Sequence, residues 1–345
     1  MLNSKKIMEV RDFLEESQNP VFFFDNDPDG LCSFLLLRRF LGRGKGVAIK
    51  SYPELDERYF DKVREFGSDC IFILDKALVS DGFFERAEEM NVPVVWIDHH
   101  EQAENFPENV NYYNPVENGS GKNIPTTLIC YEVVKNISDM WIAVIGSISD
   151  GLIPDFYNDF LKKYPDLGRE SKNSLEILYK SEIGRISRIF SAGLKNSISN
   201  VVEMMKFLIE SESPYDILGD SKKMINTNKR FEYIEKRREK LISQAIRDFD
   251  NEEVLFFKYG GDMSISADLA NELMYRFPNK TVIVAYIRGA NVNISARGDN
   301  VKDLILSSIS SIEGASGGGH RDAVGAQMGL DNLDFFEKRV RGLLD

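Results

Sequence analysis

Residues 21–30, Val21-Phe22-Phe23-Phe24-Asp25-Asn26-Asp27-Pro28-Asp29-Gly30, are the segment that best indicates the fold of this chain. Its apolar half predicts a buried strand, and the apolar run from Leu31 to Leu41 predicts a helix. The three aspartates therefore follow the carboxyl end of a strand, where open α/β sheets bind their ligands. Carboxylates packed this closely repel one another unless a cation neutralises them. The stretch thus predicts a metal site at a strand-to-helix turn.

Two further strands end in the same way. Cys70–Leu74 runs into Asp75, and Pro93–Ile97 runs into Asp98-His99-His100. Helical patterns separate the strands, and this alternation predicts an α/β fold with a doubly wound parallel sheet. The carboxyl ends of parallel strands share one edge, so we expect these acidic residues to converge with Asp25.

The two adjacent histidines indicate which metal the site would hold. Neighbouring histidines are often polar surface, but the chain has only 3 histidines and two of them follow a strand end. An apolar helix beginning near Met140 leads to another acid, Asp150. Oxygen ligands with one imidazole favour Mn²⁺ or Mg²⁺ over a structural zinc site.

Composition restricts the class of protein. With 345 residues, 43% of them hydrophobic, the chain is long enough for two domains. The formal net charge of −12 argues against charge-driven binding to long duplexes, though not against nucleic acid in a local channel. We expect no membrane span, because no apolar run approaches about 20 residues. The cysteines are far apart and odd in number, which predicts neither disulfides nor a zinc motif and favours the cytoplasm. They are Cys32, Cys70 and Cys130.

The pattern changes along the chain. Residues 155–230 predict helices with loops, and a long helix over 228–249 carries the basic run Lys236–Arg238, which is either a solvated face or a nucleic-acid contact. Strands and helices resume near residue 252 and predict a smaller α/β domain. The expected domains are 1–155, a helical linker region at 156–250, and 251–345.

A glycine-rich segment, Gly314–Arg321, is predicted as a loop. No Gly-Lys-Ser/Thr follows it, so a nucleotide P-loop is excluded, and the segment is either a linker or a phosphate contact. Bare backbone lets a ligand approach closely. Arg297 is a further phosphate candidate, or else a surface arginine paired with Asp299. The candidate substrate contacts are Arg297, Gly317, Gly318, Gly319, His320 and Arg321.

Together these motifs resemble the DHH phosphoesterase superfamily with a C-terminal DHHA1-type domain. The resemblance covers both ends of the chain, and its aspartate-rich turn is most similar to the RecJ-like single-strand nucleases, including their archaeal relatives. Phe23 stands where many members carry a histidine. Some RecJ-like members also lack it and have an extra aspartate, the counterpart of Asp25. The matching motifs are Asp25–Ser33, Asp75, Asp98-His99-His100, Gly146–Asp150, Ser295-x-Arg297, Gly317–His320 and Ala323-x-Gly325.

The resemblance implies a site for two Mn²⁺ ions, with Mg²⁺ as an alternative. Asp25 would assist where Phe23 cannot, Asp98 would orient the neighbouring imidazole, and His100 would stabilise the phosphate or protonate the leaving oxygen. The second domain would hold the substrate, with the active site in the cleft between the domains. The implied ligands are Asp27 and Asp75 for one ion, and Asp29, Asp75, His99 and Asp150 for the other.

The implied function is a Mn²⁺-dependent exonuclease on single-stranded DNA or RNA, with replication or repair proteins as partners. One alternative is a short-substrate enzyme: an oligoribonuclease for nano-RNA, a 3′-phosphoadenosine 5′-phosphate phosphatase or a cyclic-dinucleotide phosphodiesterase. The modest length and the negative net charge of the chain favour this short-substrate alternative. Another alternative is a non-catalytic replication scaffold, which Phe23 favours. The Asp-His-His and Gly-Gly-Gly-His motifs argue against a scaffold.

Overall fold

The computed structural model describes residues 1–50, 55–100, 106–107, 109–118, 124–250 and 252–344. The chain divides into two compact units, Met1–Phe231 and Glu232–Asp345. The sequence-based boundaries at 155 and 250 stay predictions.

The first unit alternates strands and helices and then becomes helical. Its elements are α1 (Ser4–Glu16), β1 (Val21–Asp25), α2 (Pro28–Leu41), β2 (Lys45–Ile49), α3 (Phe60–Phe66), β3 (Ile71–Leu74), α4 (Asp81–Glu89), β4 (Val94–Ile97), β5 (Val110–Tyr113), α5 (Thr126–Val134), α6 (Met140–Ser149), α7 (Tyr157–Lys163), α8 (Ser174–Lys180), α9 (Glu182–Leu194), α10 (Ile198–Glu210) and α11 (Pro214–Leu218).

Within the described residues these strands form a five-stranded parallel sheet in the order β2-β1-β3-β4-β5. The order reverses between β1 and β3, because β2 lies on one side of β1 and the later strands lie on the other. Crossover connections leave opposite faces of the sheet at such a point and open a crevice above the strand ends. Asp25 ends β1 and Asp75 follows β3, so both aspartates lie at this crevice.

Aromatic packing fixes α2 against β1. Phe24 stacks on Phe34 of α2 at 5.0 Å between ring centroids, and Phe22 stacks on Phe72 of β3 at 5.1 Å. At the start of α2, a Cβ on Gly30 would lie 2.5 Å from the carbonyl oxygen of Asp25. Only glycine lets the first turn of the helix approach the strand this closely.

Phe23 points to the other face of β1 and belongs to the core rather than to a polar site. It is fully buried and packs edge-to-face on Phe83 at 5.6 Å, within an apolar cluster that includes Ile73 and Trp96. A phenylalanine here therefore contributes to packing and cannot act as a metal ligand.

An arginine ties the helical part of this unit to α2. Arg39 donates to Asp139 at 2.7 Å and to the carbonyl oxygens of Leu208, Ile209 and Ser211 at the end of α10. A cation stabilises a helix C-terminus, and the buried Asp139 completes its pairing.

The second unit is a smaller mixed α/β domain, and helix α12 crosses the division between the units. Its described strands follow the order β6-β7-β8-β10-β9, with β6 and β7 parallel and the other pairs antiparallel. The elements are α12 (Ile225–Asp248), β6 (Val254–Gly260), α13 (Ser266–Arg276), β7 (Thr281–Arg288), β8 (Asn291–Arg297), α14 (Val301–Ile309), β9 (Ser316–His320), β10 (Ala323–Gly329) and α15 (Leu333–Leu344).

The fold class is confirmed: a parallel α/β sheet with helices, then a smaller α/β domain. Three strands were not expected: β5, β9 and β10. The predicted glycine-rich loop is wrong in its secondary structure, since Ser316–His320 pairs with β10 as a strand. Among the described residues no helix is both long and apolar enough to cross a bilayer.

Candidate metal centre

The end of β1 and the turn after it place two aspartates beside Asp75. Oxygens of Asp25, Asp27 and Asp75 lie within 4.8 Å of one another. Asp27 is the N-cap of α2, because its carboxylate accepts a hydrogen bond from the backbone N–H of Gly30 at 2.9 Å. The cap fixes its direction while leaving further lone pairs free for another partner.

Asp29 is held by a second helix. Its two carboxylate oxygens accept from the backbone N–H groups of Thr126 and Thr127, at 2.9 and 2.8 Å. Thr126 and Thr127 are the first two residues of α5. Their amides have no partner within the helix and face the carboxylate, as helix N-termini commonly do with anions.

Asp75 occupies the centre of the site in an uncommon backbone conformation. Its φ of +56° lies in the left-handed region, which aspartate and asparagine tolerate better than other non-glycine residues. Its N–H donates to the carbonyl of Ile97 at 3.0 Å, and the Thr126 hydroxyl donates to its carboxylate at 3.4 Å. Only 2% of Asp75 is exposed.

His99 links the remaining acids. Its Nε2 lies 3.1 Å from an oxygen of Asp75 and 3.8 Å from one of Asp29, and the three residues form a possible ligand group. Its Nδ1 lies 3.7 Å from an oxygen of Asp150. Asp150 therefore faces the opposite ring nitrogen from Asp29 and Asp75.

Asp98 and His100 form a hydrogen-bonded pair that lies beside Asp75. Asp98 is fully buried and accepts from both the ring Nδ1, at 2.8 Å, and the backbone N–H, at 3.2 Å, of His100. Burial opposes the charged imidazolium, but the Asp98 carboxylate outweighs burial and raises the pKa of His100 to about 9. The imidazole of His100 therefore favours its protonated form at neutral pH.

The electrostatics of the site favour a cation. Burial, together with the neighbouring carboxylates, raises the pKa of Asp27 and of Asp29 well above 3.8. Burial also acts against the charged forms of Asp75 and His99, yet their contact lowers the pKa of Asp75 and raises that of His99. The His99 imidazolium therefore stands where positive charge is needed. A divalent cation suits this oxygen-rich set with one imidazole.

Sequence reasoning missed Lys76. This buried lysine lies 3.5 Å from Asp25 and donates to the carbonyl of Lys50 at 2.7 Å. A lysine directly after an apolar strand and its terminal aspartate was the available signal.

The candidate substrate contacts lie in the second unit. Arg297 donates to Asn271 at 2.6 Å, and Arg321 pairs with Asp299 at 3.0 Å. The segment Gly317–His320 lies on strand β9 with exposed glycines and a partly buried histidine. Their role as substrate contacts stays a prediction.

The basic run on α12 is largely paired within its own unit. Arg237 forms an ion pair with Asp262, and Arg238 pairs with Glu235 at 2.9 Å and with the buried Glu272. These pairs favour a structural role for both arginines.

Comparisons with known proteins agree with this architecture. Residues 21–148 match the model of the DHH family, N-terminal domain, and residues 251–345 match the DHHA1 domain. No curated protein matches the sequence.

Solved structures share the fold at low sequence identity. RecJ in complex with Mn²⁺ from Thermus thermophilus superimposes with a TM-score of 0.69 and 15% identity, over 99% of this chain and 55% of that one. This chain thus spans about half of that RecJ. Exonuclease RecJ bound to manganese gives 0.65 and 16%, over 99% and 95%. The pGpG-specific phosphodiesterase PggH from Vibrio cholerae gives 0.52 and 13%, over 93% and 97%.

The two family matches fall in separate compact units of this chain, the DHH match in Met1–Phe231 and the DHHA1 match in Glu232–Asp345. Because the two models match residues 21–148 and 251–345, this chain belongs to the DHH phosphoesterase superfamily and carries a DHHA1 domain.

Proposed function

We propose that this chain is a Mn²⁺-dependent phosphodiesterase that hydrolyses single-stranded nucleic acid from an end. One observation carries the proposal: acids that follow separate strands, with His99 and His100, converge at the β1–β3 crevice in three overlapping groups that share Asp75. Buried carboxylates this close are costly without cations. Two neighbouring ions sharing a carboxylate are the usual equipment for phosphodiester hydrolysis.

The chain's own residues define what each ion would meet. Asp27 and Asp75, with Asp25, would hold one Mn²⁺, and Mg²⁺ is the natural substitute. The other ion would lie on the imidazole side of Asp75. When bound, the ions supply an activated water and neutralise the phosphoryl oxygens. The proposed ligands on the imidazole side are Asp29, Asp75 and His99, together with Asp150, which would have to reach the ion from the Nδ1 side of the ring.

His100 supplies a proton. The buried Asp98 orients its ring and keeps it protonated, so that His100 gives a proton to the leaving oxygen or stabilises the phosphate charge. We further propose that Arg297, the glycines of β9, His320 and Arg321 bind the substrate backbone.

The test is Asp75→Asn in the full chain. Asparagine tolerates the left-handed backbone, so the substitution removes charge without the strain that alanine would add. We expect hydrolysis of end-labelled single-stranded 20-mers of DNA and RNA with Mn²⁺ to fall about 10³-fold or more, which corresponds to roughly 4 kcal/mol. Asp61→Asn, on the exposed side of α3, is the matched control. If Asp75→Asn hydrolysed these substrates at the wild-type rate, the proposed metal centre would be wrong.

A second candidate is a phosphodiesterase for short substrates. It is supported by the net charge of −12, which disfavours long polyanions, and by the match to nearly the whole pGpG-specific enzyme. Turnover of dinucleotides and of 20-mers at equal concentration separates the two: a preference of at least about tenfold for dinucleotides would favour this candidate. A protein that binds no Mn²⁺ would instead fit the scaffold alternative.

A further inference from the structure

Lys76 follows β3, but its side chain extends across the neighbouring strand β1 toward the end of β2. Its backbone carbonyl accepts from the indole N–H of Trp96 at 2.9 Å, which fixes the residue after β3. Its ammonium donates to the carbonyl of Lys50, just after β2, at 2.7 Å. Because β1 lies between β2 and β3, the Lys76 side chain crosses the carboxyl end of β1 and passes Asp25.

The position of this ammonium distinguishes the two ligand groups. It lies 3.5 Å from a carboxylate oxygen of Asp25, a member of the group Asp25, Asp27 and Asp75. A protonated amine carries three donors and no acceptor, so it cannot act as a metal ligand there. Its charge also repels any cation that this group would bind.

The other ligand group contains an imidazole and no ammonium. Asp29 and Asp75 face Nε2 of His99, a ring nitrogen that can itself bind a metal ion. An ion in that group gains His99 as a third ligand. An ion beside Lys76 must share the Asp25 carboxylate with an amine that already lies 3.5 Å from it.

We propose that Lys76 makes the two metal positions unequal. The group of Asp29, Asp75 and His99 binds its ion tightly, and the group of Asp25, Asp27 and Asp75 binds its ion weakly. Asp25 serves first as the partner of Lys76. This inference rests on the proposed metal-dependent function and adds the order in which the ions bind.

Mn²⁺ titration of the full chain described here tests the proposal, with free Mn²⁺ measured by electron paramagnetic resonance and heats measured by calorimetry. Wild type should bind one ion tightly and a second at least about tenfold more weakly. Lys76→Met removes the charge at similar length and should tighten only the second step, by about tenfold or more. Lys76→Arg retains the charge and should keep the two steps apart.

Three results would overturn the inference. They are equal affinities for both ions in wild type, unchanged second-step affinity in a folded Lys76→Met variant, and weaker second-step binding in that variant. The wild-type titration decides by itself if Lys76→Met does not fold. If the protein bound no Mn²⁺, the proposed function itself would be wrong. If it bound two ions with equal affinity, only the proposed role of Lys76 would be wrong.

Discussion

Asp27→Asn should stabilise the metal-free protein while it weakens metal binding. Asparagine has the shape of aspartate and is an equally good N-cap, so its side-chain oxygen can still accept from the N–H of Gly30. The substitution therefore changes charge and little else. Removing one of three crowded carboxylates relieves repulsion when no metal balances it.

The size of the effect follows from the separations. Oxygens of Asp25, Asp27 and Asp75 lie within 4.8 Å of one another. At that distance two unit charges repel by about 3–4 kcal/mol if the effective dielectric constant is about 20. Protonation of Asp27 limits this repulsion. Holding a carboxyl group with an ordinary pKa of 3.8 in its protonated form at neutral pH costs at most about 4 kcal/mol. Lys76 reduces it further, so we expect a gain of about 1–4 kcal/mol in unfolding free energy at pH 7.

The gain should depend on pH. Burial and the neighbouring carboxylates raise the pKa of Asp27 in the folded state above its unfolded value. The folded state then binds more protons, so its stability is complete below the unfolded pKa and is lost as pH rises through the folded pKa. Asp27→Asn does not titrate, and its advantage should be close to zero near pH 4 and largest near pH 7.

The assay is urea unfolding in EDTA, followed by tryptophan fluorescence. Both tryptophans, Trp96 and Trp141, lie in the first unit, so the signal reports the unit that contains the site. Added Mn²⁺ should stabilise wild type more than the variant. Lower stability of Asp27→Asn in EDTA at pH 7, or an equal response of both proteins to Mn²⁺, would refute the reasoning. Exposed Asp61→Asn is the control.

Three further predictions concern other parts of the chain. Asp98→Asn should lower the pKa of His100, so the alkaline fall of the pH–rate profile moves to lower pH; an unshifted profile would remove His100 as the donor. Gly319→Ala should destabilise the second unit by about 1–3 kcal/mol, because the φ of Gly319 is +144° and a Cβ there would collide with the backbone. Gly318→Ala is the control: a Cβ at Gly318 meets open space, so this substitution should raise only KM. Arg39→Met should cost about 3–5 kcal/mol by leaving a buried carboxylate unpaired, measured by the same fluorescence assay.

The sheet and the convergence of its acids were predictable because they follow from local patterns. Apolar runs ending in Asp25 and Asp75 marked strand ends, and parallel strands bring their carboxyl ends to one edge. The neighbouring positions of β1 and β3 then place both residues beside the crevice. Asp98 also follows a strand, but its carboxylate binds His100. Strand position alone did not predict that contact.

The remaining features depend on contacts between distant residues or on atypical composition. The amide of Thr126 reaches Asp29 across 97 positions, which no local pattern contains. Three of the five residues of strand β9 are glycine, which has low strand propensity, so pairing with β10 rather than propensity forms the strand. The alternation of Val324, Ala326 and Met328 in β10 was a usable strand signal.

The acids of this centre are held together by their surroundings and not by attraction to one another. The N-termini of α2 and α5 direct backbone N–H groups at Asp27 and Asp29, but each helix end supplies only about half a positive charge. That is less than the charge of the carboxylates gathered around Asp75. His99 and Lys76 reduce the deficit, and bound cations would remove the rest. It follows that neutralising a carboxylate and removing the metal should affect stability with opposite signs. A purely structural cluster of hydrogen-bonded acids would lose stability when a carboxylate is neutralised and would not respond to metal.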